Sequence, residues 1–416
     1  MSLETPLVID NGTGLTKIGF ASNFEPDYVF PTAIGLRSQL STIRSGTKRN
    51  EYLEDIDFVI GSDAIQNPDY LVNYPISHGI IQNWDHMEKL WQRSIYHLLR
   101  CDPSEHPILL TEPFNNPLEN KEFTAEIMFE SFNVPALYMA PQAVLCLYAS
   151  HTATNTTMTG CIVDAGEGGT TVIPVAEGYV LSSSSRVLPI GGKDITAFIH
   201  KQLRLRNEKI PPEDMMDTCR YIKEHYCYSA DNIWKEFKKY DSNKDKFQTY
   251  SSRATRTKQL WSIDVGYEQF LAPELYFNPE IISPEYTEPL STIVDNCILK
   301  CPIDTRRSLY NNIVIAGGSS LFKGFGKRLQ RDINRSVKAR IESNRQEISS
   351  KLSSAEVIAE KSIDVNVTEP KDRQYASYIG GSYVASNPNF LSGCVTKEQY
   401  DEYGSSVMIK RSLSHL

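Results

Sequence analysis

The sequence predicts an α/β fold built from a duplicated unit. Three observations carry this. Short β-branched apolar runs alternate with longer helical patterns. Two of those runs end in the same glycine-rich pattern. The chain has 416 residues, 40% of them hydrophobic, enough for two or three domains at about 100–200 residues each.

Taken in order, Leu7-Val8-Ile9 reads as the first buried strand. Met87–Arg100 carries a helical pattern, and Ile108-Leu109-Leu110 is a second apolar strand. Helical patterns over Asn120–Phe132 and Gln142–Ala149 bracket a strand at Ala136–Met139. Cys161-Ile162-Val163 and Ile313-Val314-Ile315 complete the buried strands, whose continuous apolar character predicts sheets covered on both faces. Ser38–Asp55, Asp241–Lys258 and Glu342–Ser362 are polar and read as exposed insertions, the last as a solvated helix with its loop. Ser182–Ser185, four serines, predicts a loop or an edge strand.

Composition narrows the function. Charged residues make up 23% and the net charge is −8, which argues against a nucleic-acid binder. No apolar run reaches the roughly 18–20 residues of a membrane span. Met1-Ser2-Leu3-Glu4 is acidic and leads directly into the first strand, so no signal peptide is expected. The 8 cysteines are scattered without a CxxC pair, as expected of reduced, buried thiols in a cytosolic protein.

The repeated pattern carries the chemistry. Pro6–Thr16 reads PLVIDNGTGLT and Gly160–Thr170 reads GCIVDAGEGGT. Each is an apolar strand followed by Asp-x-Gly-x-Gly-x-Thr. In the first, Gly12 and Gly14 lack side chains, so backbone N–H groups can approach phosphate oxygens. Thr13 adds a hydroxyl, Lys17 a cation, and Asp10 a carboxylate suited to a magnesium ion's water shell. Alone, this stretch fits a plain glycine-turn hairpin equally well. The second copy, with Asp164, Gly166, Gly168 and Gly169, makes a two-sided clamp on a nucleoside triphosphate the better reading. A third motif, Ile313–Phe325, runs from a strand into Gly317-Gly318 and Ser319-Ser320 and then a helix. It suits close contact with a ribose or base, and equally a turn needed only for packing.

Two decoys fail. Gly324–Arg328 lacks the spacing and Ser/Thr of a Walker A loop. Asp241–Asp245 begins like a calcium loop, but Lys246 and Ser252 stand where Gly and Glu are required.

Longer runs are similar to the actin family, within the wider superfamily of sugar kinases and heat-shock chaperones. They include Tyr74–Gly79, Asn83-Trp84-Asp85, Leu109–Glu112, Ile127–Asn133, Gln142-Ala143-Val144 and Ile379–Ser382. The resemblance spans nearly the whole chain. It implies an actin-like ATPase fold, with ribonuclease H-like duplicated domains and four subdomains around a nucleotide cleft. The implied small domain is 1–150 plus 376–416, with subdomain 2 at about 32–74. The implied large domain is 151–375, with subdomain 4 at about 191–283. The resemblance puts ATP and Mg2+ on Gly12, Thr13, Gly14, Lys17, Gly166, Glu167 and Gly168, with Asp10 and Asp164 holding the metal through water. It assigns Gly192 to the ribose side, Lys223 and Glu224 to the base, and Gly317, Gly318, Ser319 and Phe322 to the adenosine turn. Gln142 is implied to position the attacking water. Tyr148, Tyr383 and Val384 match the apolar groove that contacts actin.

Val172–Tyr179, Ser262–Glu268, Cys301–Asp304 and Arg328–Asp332 resemble one branch of actin-related proteins. Members of that branch join actin-related protein 2 and other subunits in the complex that nucleates branched actin filaments. The implied partners are those subunits, actin filaments and nucleation-promoting factors, in the cytoplasm and actin cytoskeleton. The alternatives are a nuclear actin-related protein and a divergent self-polymerising actin. A small-molecule kinase would need a general base near the γ-phosphate and a sugar pocket, and a chaperone a separate peptide domain. The chain departs from the family where Glu167 replaces an aspartate and Thr171 a histidine, which predicts slow hydrolysis. Gln374, Pro141 before Gln142, and the tail Val407–Leu416 depart as well.

Overall fold

In a computed structural model of the chain, the structure describes residues 3–37, 57–154, 157–243, 246–351 and 363–409. They fall into two compact units. The first is Met1–Met158, Glu177–Ser182 and Tyr375–Leu416; the second is Thr159–Ala176 and Ser183–Gln374.

The first unit is organised by a mixed sheet. Its strands are β1 (Leu7–Asn11), β2 (Leu15–Phe20), β3 (Tyr28–Pro31), β4 (Ile108–Glu112) and β5 (Ala136–Pro141), with a short strand Val395–Thr396. The order is Val395–Thr396, β5, β4, β1, β2, β3. β4 lies parallel to both β1 and β5, whereas β1, β2 and β3 form an antiparallel meander. The two central strands are buried along their whole length, which is why their sequences are apolar throughout. Alternate side chains serve opposite faces. Leu7, Ile9 and Leu110 pack with Met87, Trp91 and Phe129. Val8 and Leu109 face Leu145 and Tyr378 on the other side.

Helix α1 (Trp84–Gln92) begins three residues before the predicted start. The Asn83 side chain accepts a hydrogen bond from the His86 amide at 2.9 Å and so caps it. Its last turns widen into a π-helical segment, Arg93–Leu99. α2 (Leu118–Glu126) continues the same way through Ile127–Ser131. The apolar spacing gives the existence of these helices but not the widened turns. α3 (Gln142–Thr154) runs beyond its predicted end. It packs on the helix Ala376–Ala385, where a Cβ on Gly380 would meet the Leu145 carbonyl oxygen at 1.9 Å. Ile34–Arg37, Phe58–Ile60 and Tyr70–Asn73 form a separate three-stranded sheet.

The second unit repeats the plan. β6 (Gly160–Ala165) pairs antiparallel with β7 (Thr170–Ala176) and parallel with β9 (Ile313–Ala316); β8 (Arg186–Leu188) adds to β7 and β10 (Val367–Thr368) to β9. α4 (Gly192–Leu205), α5 (Met215–His225), α6 (Ile233–Ser242) and α7 (Phe325–Lys351) surround this framework.

Three expectations change in detail. The Asp241–Lys258 segment is not merely an irregular insertion: Gln248–Arg253 pairs antiparallel with Leu260–Val265. None of its residues is fully buried, so the strand carries little apolar alternation to read. Of the loop or edge strand expected at the four serines, the loop is what forms, with Ser182–Ser184 in a short 3₁₀ turn. The helix expected after Gly317-Gly318 begins only at Phe325, because a 3₁₀ turn, Gly318–Ser320, intervenes. The Ser38–Asp55 insertion, residues 352–362 of the third insertion and the tail beyond Ile409 lie outside the described residues. All eight cysteines are free, and seven are buried. Among the described residues, no helix is long and apolar enough to cross a membrane.

Candidate functional site

In the first unit the site is centred on Asp10. Antiparallel register sets Asp10 opposite Lys17 on β2, and the Lys17 Nζ lies 2.8 Å from its Oδ2. Parallel register with β4 pairs Ile9 with Leu110, which brings Thr111 beside Asp10. The Thr111 hydroxyl donates to Asp10 Oδ1 at 2.7 Å. Gln142, just past the end of β5, donates its amide to the same oxygen at 3.1 Å. Asp10 is 1% exposed. Burial pushes its carboxyl up, but the Lys17 charge and the hydrogen bonds from Lys17, Thr111 and Gln142 outweigh burial and hold it below the usual carboxylate value. The carboxylate is therefore ionised at neutral pH.

The turn beyond it is pinned from behind. The Gly12 amide donates to the Leu15 carbonyl at 3.0 Å, closing the hairpin. A Cβ on Gly12 would sit 2.8 Å from that carbonyl oxygen, so the position excludes a side chain. Thr32 donates its hydroxyl to the Gly12 carbonyl at 2.7 Å and its amide to that of Gly14 at 3.0 Å. The Thr13 hydroxyl accepts from the Gly79 amide at 2.8 Å. Among the described residues, the Thr13 and Gly14 amides donate to no partner. These two tip amides, not that of Gly12, are the donors available to an anion.

The second unit closes its hairpin with the same bond: the Gly166 amide donates to the Gly169 carbonyl at 3.0 Å. Here a Cβ on Gly166 would stand 3.5 Å from the carbonyl, an ordinary contact. Asp164 ends β6 opposite Thr171, the place that Lys17 fills in the first hairpin. The second aspartate thus has no lysine facing it across its hairpin. Gly168 lies at the turn's tip.

The cation of this unit arrives from elsewhere. Lys223 on α5 is 6% exposed, and its Nζ lies 3.2 Å from Glu167 Oε2 and 3.1 Å from the Gly192 carbonyl. Gly192 opens α4 and leaves room for this pair: a Cβ there would meet Glu167 Oε2 at 2.1 Å and Ser319 Oγ at 2.6 Å. Ser319 in turn donates to the Gly166 carbonyl at 3.0 Å. Glu167, Gly192, Lys223 and Ser319 thus form one constellation. Gly317 has φ +86°, and a Cβ on it would strike the Ala165 carbonyl oxygen at 2.3 Å, so glycine is required. Gly318 faces open space, Phe322 is buried, and Glu224 is exposed on α5 away from the ion pair.

Tyr148 on α3 and Tyr383 and Val384 on the Ala376–Ala385 helix are half-buried. Tyr383 meets the edge of Phe24, centroids 6.1 Å apart. Phe24 is 73% exposed and extends this apolar surface, although nothing in its sequence surroundings marks it. Thr111 and Arg373 were also missed as site residues. Thr111 becomes a neighbour of Asp10 only through parallel pairing. Arg373 braces the Gly318–Ser320 turn, with Nε 3.1 Å from Ser320 Oγ.

A sequence model of the family described as Actin matches residues 2–413. The chain therefore belongs to the actin family. It is 49% identical over 405 residues to actin-related protein 3 of Drosophila melanogaster, covering 96% of each chain. It is 48% identical to actin-related protein 3 of Dictyostelium discoideum, covering 96% of this chain and 95% of that one. With actin-related protein 3 of Schizosaccharomyces pombe it shares 46% identity, covering 98% and 97%. Within the family its place is the actin-related protein 3 group.

Proposed function

We propose that this chain is the ATP-binding actin-related subunit of the complex that nucleates branched actin filaments, with actin-related protein 2 among its partners. Bound ATP and Mg2+ act as a conformational switch. The observation that carries the nucleotide reading is the buried, ionised Asp10 held by Lys17, Thr111 and Gln142 at the base of a turn whose two tip amides are free. Such a set fits a magnesium polyphosphate: tip amides and an ammonium for phosphate oxygens, and a carboxylate for the metal's retained waters. The turn at Gly166 closes with the matching hydrogen bond, a second copy of the phosphate-binding pattern.

When bound, magnesium-ATP supplies the reactive phosphoanhydride and neutralises its charge. The chain's own residues do the rest. Lys17 and the Thr13 and Gly14 amides would hold phosphate oxygens, and the carboxylates of Asp10 and Asp164 would each suit a metal's retained waters. Gln142, whose amide donates to Asp10, would be the residue to orient an attacking water. Lys223 and Ser319 serve the nucleoside side, with Gly317 and Gly318 allowing close approach. The switch works only through a difference in nucleotide affinity between conformations. Tyr148, Tyr383 and Val384 serve as the apolar groove for a filament subunit, in the cytoplasmic actin cytoskeleton.

The test is calorimetry with magnesium-ATP. Asp10→Ala and Lys17→Ala are each expected to weaken binding by about tenfold or more, as loss of a charge-assisted contact does. Unchanged affinity in both would overturn the phosphate assignment.

A further inference from the structure

Behind the hairpin of the second unit lies a buried tyrosine whose hydroxyl the nucleotide reading does not use. Tyr276 follows the helix Glu268–Glu274 and is 0% exposed. Its carbonyl accepts from the Leu290 amide at 2.9 Å. Its ring packs T-shaped against Phe325 at the start of α7, centroids 5.3 Å apart. Backbone and ring are therefore fixed, and with them the direction of the hydroxyl. That hydroxyl reaches the hydroxyls of Thr170 and Ser319, but has the geometry of a hydrogen bond with neither.

A phenylalanine would pack as well, so packing alone does not account for the hydroxyl. The other buried tyrosines among the described residues each have a partner. Tyr240 bonds Tyr228, Tyr310 bonds Asp295, Tyr378 bonds the Phe20 carbonyl and Tyr400 bonds Glu130. A buried hydroxyl without a bond is unfavourable. Burial raises the Tyr276 pKa and the Thr170 and Ser319 hydroxyls act the other way, so the phenol stays protonated and can donate. Both acceptors within its reach already direct their own protons to the site. Thr170 donates to the Ile190 carbonyl at 2.8 Å, beside the Gly191-Gly192 entry to α4. Ser319 donates to the Gly166 carbonyl, which also accepts from the Gly192 amide at 3.0 Å. The hydroxyl thus stands where three segments join: the hairpin, the start of α4 and the Gly318–Ser320 turn.

We propose that Tyr276 is a positioning residue for nucleotide, its hydroxyl donating to Ser319 Oγ as nucleotide seats on the Gly317-Gly318 turn. This role rests on the nucleotide reading above. Ser319 is the acceptor that can move. Thr170 is β-branched and set in β7, with its hydroxyl tied to Ile190. Ser319 stands on a short 3₁₀ turn, next to Gly318 and the open space it faces. A ligand pressing on that turn brings Ser319 toward Tyr276. A chain of bonds then runs from Tyr276 through Ser319 to the Gly166 carbonyl, each strengthening the next. A bond made only with the turn pressed inward counts entirely toward nucleotide affinity.

The experiment combines magnesium-ATP calorimetry with thermal scanning of the full chain carrying Tyr276→Phe, which keeps the ring and deletes the hydroxyl. ATP affinity is expected to fall about threefold to tenfold, the equivalent of one net hydrogen bond. The thermal midpoint without nucleotide should stay within about a degree of wild type or rise. In a Ser319→Ala background the same substitution should lower affinity no further, because the acceptor is gone. Unchanged ATP affinity overturns the proposal. So does a lower midpoint without nucleotide, which would mark an ordinary structural bond, and so do equal losses in both backgrounds. Asp10→Ala separates this role from the nucleotide reading. If Asp10→Ala weakens binding and Tyr276→Phe does not, the reading stands and the role fails. If only Tyr276→Phe weakens it, the phosphate assignment fails and Tyr276 keeps its role. A wild-type chain that binds no ATP removes both.

Discussion

Asp10 ties stability to pH as well as to ligand. Its native carboxyl is held below the ordinary aspartate value of 3.8, so in the interval between the two values the unfolded chain binds more protons. The stabilisation is complete above the unfolded value and disappears as pH falls through the native one. Replacing Asp10 by Asn should therefore flatten the acid limb of the unfolding curve, read by denaturant titration between pH 5 and 2. An unaltered limb would contradict the assignment. Glu167 sets a second residue-scale expectation. Its carboxylate is engaged by Lys223, and an aspartate, one methylene shorter, would withdraw from that contact. Glu167→Asp with Thr171→His should speed single-turnover ATP hydrolysis by about 10–100-fold, because small shifts of an attacking water cost that much. No change in rate would mean that the departures do not govern hydrolysis. Sequence reasoning found Glu167 and Lys223 separately and gave them different duties. Their pairing depends on Gly192 leaving space between α4, α5 and the hairpin, which linear spacing does not encode.

The strands were the most legible elements, because buried parallel pairing demands unbroken apolar runs such as Leu7-Val8-Ile9 and Ile313-Val314-Ile315. Less legible were elements whose burial is partial or whose geometry is irregular. The Gln248–Arg253 strand has little apolar alternation, and the π-helical turns at Arg93–Leu99 leave apolar spacing nearly unchanged. Helix contact is set by a detail equally hidden from periodicity. Gly380 lets the Ala376–Ala385 helix approach α3 until backbone nearly touches backbone. Gly380→Ala should destabilise the chain by about 3 kcal/mol, the upper range for overpacking, and lower its thermal midpoint by roughly 5 °C or more. Calorimetric scanning would detect this. A midpoint within a degree of wild type would show that the helices can part without cost.

For the whole molecule, a branching-complex subunit should not assemble on its own as an actin does. Sedimentation of the purified chain with magnesium-ATP is expected to leave it in the supernatant, and affinity purification from its native cell should recover actin-related protein 2. Robust filaments of this chain alone would favour the self-polymerising alternative. The two hairpins also bear on how such a molecule changes over generations. They share one closing hydrogen bond, yet Gly12 is hemmed in at 2.8 Å while Gly166 has room for a methyl group. One turn is thus sterically sealed at its first glycine and the other is open there. The family departures at Glu167 and Thr171 both lie in the tolerant copy. Two turns that share one closing bond therefore differ in mutational tolerance: an alanine in place of the first glycine should be borne by one and refused by the other.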